Sequence, residues 1–473
     1  MRYPFVKSPV AATLFLCLSS LMVMAQKPAA IQGTIQGASG YPARLIVWDD
    51  QISYTEKKVA SGVIDSAGRF NLIFQPGLQT FAMIDIGNAR ATILLEPGKQ
   101  YTLRFNDYPP LQWLETRNLF LQNEPLTYTL NEENADGDPN ILMQQINRDY
   151  SHFLAKHYMD VYKKRTDVVN GFIDSFFLKY GSISHPFIRE MVDYKIAMLK
   201  LGSYKITPEQ TWELWLKDRD ILYHHPDYME FFNQVFDNYL TTRLKNYSYT
   251  ELRDVINEKG SYFALSEMIG RDTILRNEQL REAVMLKGLG EIYYDRDFSR
   301  ENIQKILSYI ASGSKFPEHR TIARNLLVSF TRFEPGSTAP ELNLIDSAGI
   351  KVTIGRYSGK YLLLVFFTSN CVPCLSEMKM LESYYQDLSD SLQVLAVGLD
   401  PDSGKMARNL NGYRFPWVTL HFNHDFDLTD RYQIRNYPFF ILIDPKGKIH
   451  TYGARTPSNQ FREWFEEFTG KKE

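Results

Sequence analysis

Apolar and polar residues alternate in short runs through the first part of the chain. Residues 44–49 and 68–74 read as strands, and Asp65-Ser-Ala-Gly68, Pro76-Gly77, Gly87-Asn88 and Pro97-Gly98 read as turns. Regular short strands of this kind predict a small β-sandwich over residues 26–109. Tyr108-Pro109-Pro110 breaks the alternation, and the period then lengthens to that of a helix until about residue 330. Ile303, Ile306, Leu307 and Ile310 share one helical face, as do Val168, Phe172 and Phe176. Thr207-Pro-Glu-Gln210 has the form of a capping box with proline at the first helical position. Without a fixed-period repeat, residues 110–332 are expected to form an all-α domain and not a solenoid.

A linker rich in breakers, Phe333-Glu-Pro-Gly-Ser-Thr-Ala-Pro340, opens the last section, 333–473. There a hairpin is expected across Asp346-Ser-Ala-Gly349. A continuous apolar run over 361–368 follows, as a strand buried on both faces requires. Helices are predicted over 373–388, after Pro401 and over 458–468, with strands at 392–399, 418–421, 439–443 and 448–452. Alternating β and α elements imply an open α/β sheet. The fold class is therefore multidomain α+β: an N-terminal β-sandwich, a central all-α domain and a C-terminal α/β domain.

Composition narrows the function. Of 473 residues, 23% are charged and 44% hydrophobic, which excludes disorder of the whole chain. The formal charge of −2, from 53 basic and 55 acidic residues, offers no field for nucleic-acid phosphates. Residues 1–25 have the features of a secretory signal: Arg2 and Lys7 at the start, an apolar stretch over 10–24, and small residues at Val23 and Ala25. The apolar stretch is short of the ~20 residues a membrane span needs. Cys17 lies within it, preceded by Leu16 where a lipidated cysteine would follow Gly or Ala, so it is expected to leave with the signal. An exported, periplasmic protein soluble after cleavage, with two cysteines, is the resulting expectation.

Those two form Cys371-Val-Pro-Cys374, where a buried strand gives way to a helix. Two intervening residues bent into a first helical turn bring the sulfurs within bonding reach. At the helix N-terminus, unpaired N–H groups favour the Cys371 thiolate, which is the attacking species. Cys374, inside the turn, would resolve a mixed disulfide. Pro373 suits the helix start because its missing N–H has no partner to lose there. A structural crosslink is a weak alternative, since so small a loop adds little stability. Zinc is another, but the motif lacks a second ligand pair, and His421-Phe-Asn-His424 has the wrong spacing. Neither His152 with His157 nor His224 with His225 puts two imidazoles on one helix face, and no acidic cluster joins them, so no metal site is expected.

The last third resembles the thioredoxin-fold domain of the TlpA/ResA-type thiol–disulfide oxidoreductases. The resemblance rests on Pro335-Gly, Ala339-Pro340, Gly359-Lys360, Phe366-Phe-Thr-Ser-Asn-Cys-Val-Pro-Cys374 followed by Glu377, Tyr432-Gln-Ile-Arg-Asn-Tyr-Pro438 and Leu442-Ile-Asp-Pro-Lys-Gly447. The stretch before it resembles, through Leu94-Leu-Glu-Pro-Gly98, an uncharacterised β-domain found ahead of such domains. The family resemblance implies that Cys371 and Cys374 are catalytic, that Pro438 is a cis-proline facing them, and that Glu377 tunes the cysteines and handles protons. It places Asn370, Val372, Pro373 and Tyr437 on the substrate surface. Two positions depart from the pattern: Asn370 stands where Trp is usual, and Tyr437 where Thr or Val is common. Val365 takes the strand position of the buried aspartate of thioredoxin itself.

The expected activity is disulfide reduction by a dithiol/disulfide cycle on protein or small-molecule disulfides. By resemblance, a membrane dithiol reductase supplies the electrons. No cofactor is expected, since Gly288-Leu-Gly290 lacks the third glycine of a dinucleotide fingerprint. A thiol peroxidase built on Thr368-x-x-Cys371 and a non-catalytic partner-binding protein are the competing readings.

Overall fold

Turn chemistry and alternation produce the two sheets of the N-terminal sandwich. The computed structural model describes residues 28–108, 124–130, 137–203, 206–242, 246–346 and 349–470. The expected signal at 1–25, with Cys17, lies outside them, as do Pro109 and Pro110 and part of the turn at 346–349. One sheet has the order β4-β1-β7-β9, from β1 (Ala29–Thr34), β4 (Arg69–Phe74), β7 (Gln100–Phe105) and β9 (Tyr128–Leu130). Every second residue of these strands turns inward, among them Ile31, Phe70, Leu72, Tyr101 and Leu103. The other sheet runs β3-β2-β5-β6-β8, from β2 (Pro42–Asp50), β3 (Thr55–Val63), β5 (Thr80–Ile86), β6 (Ala89–Leu95) and β8 (Glu124–Pro125). Gly87 makes the β5–β6 turn with φ of 59°, and a Cβ there would lie 2.3 Å from the Tyr108 hydroxyl.

The edge strands β8 and β9 lie beyond residue 109, in a stretch expected to be helical. Runs of two and three residues are too short to display an alternation. Burial of Tyr128, whose hydroxyl donates to the Thr92 carbonyl at 3.0 Å, holds the second of them in place. Among the described residues the first helix is α1 (Pro139–Tyr162), capped by Asp138. Asn140 in its first turn exchanges hydrogen bonds with the Leu94 backbone at 2.6 and 3.1 Å, fixing the helix to β6.

α1, α2 (Thr166–Tyr180) and α3 (Pro186–Ser203) share one core containing Met143, Ile173, Phe176 and Val192. Further on, α4 (Pro226–Val235), α5 (Glu278–Ile292), α6 (Arg300–Gly313) and α7 (Pro317–Thr331) enclose a second, aromatic-rich core. The predicted Ile303, Ile306, Leu307 and Ile310 face is buried in it. Thr207 and Gln210 form the predicted capping box. His225 caps α4 and contacts the Phe187 carbonyl at 3.0 Å, so it serves packing. Among the described residues no group of three or more His, Cys, Asp or Glu could hold a metal ion. Nor is any helix among them long and apolar enough to cross a membrane.

The C-terminal α/β domain begins with the hairpin of β10 (Leu344–Ile345) and β11 (Lys351–Val352). Its main sheet has the order β14-β13-β12-β15-β16. β12 (Tyr361–Phe367), β13 (Leu392–Gly398) and β14 (Val418–His421) are parallel. β15 (Phe439–Ile443) and β16 (Ile449–Tyr452) are antiparallel additions. α8 (Val372–Leu388) follows β12, α9 (Ser403–Leu410) follows β13, and α10 (Phe426–Arg431) and α11 (Phe461–Thr469) complete the domain. β12 is buried on both faces. Leu363, Val365 and Phe367 pack with α8 and α11. Leu362, Leu364 and Phe366 face a cluster continuous with the sandwich core, through Tyr41, Phe422 and Phe426.

Candidate functional site

The site lies where β12 stops and α8 starts, at the carboxyl end of the parallel strands, the usual site position in open α/β sheets. Cys371 is the N-cap of α8, and its Sγ accepts from the Cys374 N–H at 3.1 Å. The two sulfurs are joined in a disulfide, with 5.2 Å between the Cα atoms. Cys374 is fully buried against Phe367, Met378 and Phe440, while Cys371 is half-buried. Val372 is 73% exposed, an apolar side chain left in solvent between the two cysteines. Pro373 and Asn370 are exposed beside it. The half-exposed sulfur is thus the reachable one, and the buried sulfur can react only with its neighbour.

The Tyr437–Pro438 bond is cis. Tyr437 and Cys371 pack against the same buried cluster, the one that holds Cys374. Burial pushes the Tyr437 phenol up, Thr368 opposing the shift and the Asp400 carboxylate adding to it. Glu377 lies one turn after Cys374 and is half-buried. Its carboxylate accepts from the Ser458 N–H at 2.9 Å and from the Ser458 hydroxyl. A short 3₁₀ turn, Pro457–Asn459, is thereby tied to α8.

Asp400, Asn409 and His421, none of which the sequence reading placed at the disulfide site, complete the surroundings. Asp400, just after β13, is buried and accepts from the Ser369 N–H at 3.0 Å through both oxygens and from its Oγ at 2.6 Å. Asn409 donates to the same Oγ at 2.8 Å. His421, on β14, contacts the Asp400 carbonyl through Nε2 at 2.6 Å. Desolvation raises the Asp400 carboxyl, the Ser369 hydrogen bonds opposing it. Val365 is buried among apolar neighbours, so the buried acid by the motif comes from the adjacent strand. An acidic residue directly after a parallel strand beside the motif-bearing one was the available signal. Held this way, residues 368–370 are fixed immediately before Cys371.

A thioredoxin-like family model matches residues 359–449. The thiol-disulfide oxidoreductase ResA of Bacillus subtilis is 27% identical over 117 residues, 24% of this chain and 64% of that protein. The chain therefore spans just under two thirds of that relative. ResA of Geobacillus thermodenitrificans is 30% identical over 133 residues, covering 27% of this chain and 74% of that protein. Among solved structures, the thioredoxin domain of a thiol-disulfide oxidoreductase from Bacteroides vulgatus is 25% identical, covering 28% of this chain and 97% of its own, with a TM-score of 0.27.

Proposed function

This chain belongs, through its C-terminal domain, to the ResA-type thiol–disulfide oxidoreductases of the thioredoxin-like family, and from that premise we propose that it is an exported, periplasmic enzyme that reduces disulfides. The observation that carries the proposal is the pairing of a half-exposed helix-capping sulfur, Cys371, with a fully buried one, Cys374. In the reduced protein the Cys371 thiolate, favoured at the helix N-terminus, attacks one sulfur of a substrate disulfide. The substrate S–S bond breaks, one thiolate leaves, and a mixed disulfide forms. Cys374, as its thiolate, then attacks Cys371 Sγ and expels the second substrate thiolate. Two electrons have passed to the substrate, and the Cys371–Cys374 disulfide remains. A dithiol protein must reduce it again, and a membrane dithiol reductase fits that chemistry.

The exposed Val372, with Pro373, Asn370 and Tyr437, supplies the surface for the substrate backbone beside cis-Pro438. We assign Glu377 to proton handling. Its place one turn beyond Cys374, with the carboxylate oriented by Ser458, supports that role. The test is insulin reduction by the purified protein together with trapping by a Cys374→Ser variant. Turnover by the wild type, its loss in Cys371→Ser, and a covalent partner held by Cys374→Ser are expected. Absence of both turnover and trapped partner would overturn the proposal. Glu377→Gln should shift the pH profile of turnover while leaving the melting temperature in place.

A further inference from the structure

Tyr41 directly precedes β2 and belongs to the sandwich, yet its buried side chain reaches into the C-terminal domain. Its ring lies 4.1 Å from the His424 ring and 6.5 Å from that of Phe426, centroid to centroid. Its hydroxyl donates to the Pro401 carbonyl at 3.5 Å, a long contact, so the ring stack is the firmer hold. On the sandwich side the Tyr108 ring backs it at 5.1 Å, and the Tyr108 hydroxyl is fixed in turn by Asn88 at 2.9 Å. Burial pushes the Tyr41 phenol up to about 12, the Asp402 carboxylate adding to the shift.

The turn that Tyr41 meets is the one that fixes the residues before Cys371. β13 ends at Gly398, so residues 400–402 lie beyond the strand pairing and depend on side chains for their place. Asp400 binds Ser369 from one side, and Asn409 of α9 binds it from the other. Asp402 caps α9, which ties the two holds together. From within the domain, His421 Nδ1 accepts from the Asn423 N–H at 3.0 Å, which leaves the proton on Nε2 for the Asp400 carbonyl at 2.6 Å. Ser369 in turn lies inside the tight turn in which the Cys371 N–H donates to the Thr368 carbonyl at 3.2 Å. Asn370, beside the reachable sulfur, shares a shallow groove with Asp400, Pro401 and Asp402.

We propose that Tyr41 is a positioning residue of the disulfide site. Stacked on His424 and set against Pro401, it holds the 400–402 turn, and through Asp400 it holds the 369–370 segment that leads into Cys371. The sandwich is thereby part of the framework of the site, and the turn is clamped between His421 on one side and Tyr41 on the other. The inference rests on the oxidoreductase reading for its first measurement.

That measurement is insulin reduction by the full chain with dithiothreitol as the electron source. Tyr41→Ala should lower kcat/KM about three- to tenfold, the usual size of coupling from a residue outside a site. Tyr41→Phe keeps the ring on His424 and should stay within about twofold of the wild type. In an Asp400→Ala background the Tyr41→Ala change should matter about twofold or less, because the link to Ser369 is already broken. Tyr128→Phe, which removes a hydrogen bond elsewhere in the sandwich, should leave the rate in place. His424→Asn takes the stack away from the other side, should reproduce the loss, and decides the matter if Tyr41→Ala does not fold. Wild-type rates in Tyr41→Ala and His424→Asn, an equal loss in Tyr41→Phe or Tyr128→Phe, or losses that multiply independently in the double variant would each overturn the proposal. A wild type that fails to reduce insulin overturns the oxidoreductase reading alone. The proposal is then read from alkylation of Cys371 by iodoacetamide in the reduced protein, whose rate Tyr41→Ala should change at least about threefold and Tyr41→Phe should not. Equal alkylation rates in all three proteins would overturn it.

Discussion

Acidification should loosen the contact between the sandwich and the C-terminal domain through one histidine. The His424 ring lies 4.1 Å from the Tyr41 ring, centroid to centroid, and its Nδ1 is buried without a partner. Burial, aided by His421 and opposed by Asp402, lowers its pKa from 6.5 to about 4. A histidine with a depressed folded-state pKa stabilises the fold fully above the unfolded value. That contribution is lost as pH falls from 6.5 towards 4, because the unfolded chain then binds the proton and the folded one resists it. At 1.36 kcal/mol per tenfold the upper limit is about 3.4 kcal/mol. The ring is only partly buried, and solvent screening brings the expected loss to about 2 kcal/mol. Guanidinium unfolding at pH 7.5 and 4.5, for wild type and His424→Asn, isolates the term from carboxylates that titrate nearby. Asparagine is the suitable replacement because residue 424 has φ of 59° and asparagine tolerates that region. The wild type should lose about 2 kcal/mol more than the variant between the two pH values. Equal losses, or an NMR titration placing His424 near 6.5, would refute the desolvated stack on Tyr41.

Three further outcomes follow from single contacts. Asp400→Ala removes the acceptor for the Ser369 N–H and Oγ and should cost about 1–3 kcal/mol in denaturant unfolding, with slower insulin reduction because the segment before Cys371 loses its anchor. Gly288→Ala would set a Cβ 2.3 Å from Leu240 Cδ1, so overpacking should lower stability by about 1–3 kcal/mol, read as a shift in the denaturation midpoint. Arg44→Met breaks contacts to Asp85, Asp427 and Asp430; since Asp85 keeps Arg90 and Asp427 keeps Lys58, the loss should be about 2–4 kcal/mol, less than for a carboxylate left alone. Limited protease digestion should then proceed faster than in the wild type.

What the sequence displayed was set by local rules. The β12 run is apolar at every position because both its faces are covered, and the Cys371-Val-Pro-Cys374 turn needs only four neighbouring residues to bring its sulfurs together. The capping box at Thr207 likewise closes within one turn. The elements that were missed depend on partners far along the chain. Nothing around Arg44 distinguishes it from a strand-surface arginine, yet it is buried by Asp427 and Asp430, 383 and 386 residues away. The six-residue α10 carries those acids and shows too little periodicity to be read, and β8 and β9 are shorter still. Asp400 is hidden for a related reason: its role comes from hydrogen bonds to Ser369 on the neighbouring strand's loop, across 31 residues. The same distinction separates the chemistry from its setting. A dithiol at a helix start can be read from four residues, whereas the Arg44-centred junction that joins its domain to the rest exists only once the fold has brought three distant segments together. If that junction governs access to Cys371, Arg44→Met should change the rate of insulin reduction without changing the reduction potential of the Cys371–Cys374 pair. An altered potential would instead mean that the junction acts on the sulfurs themselves.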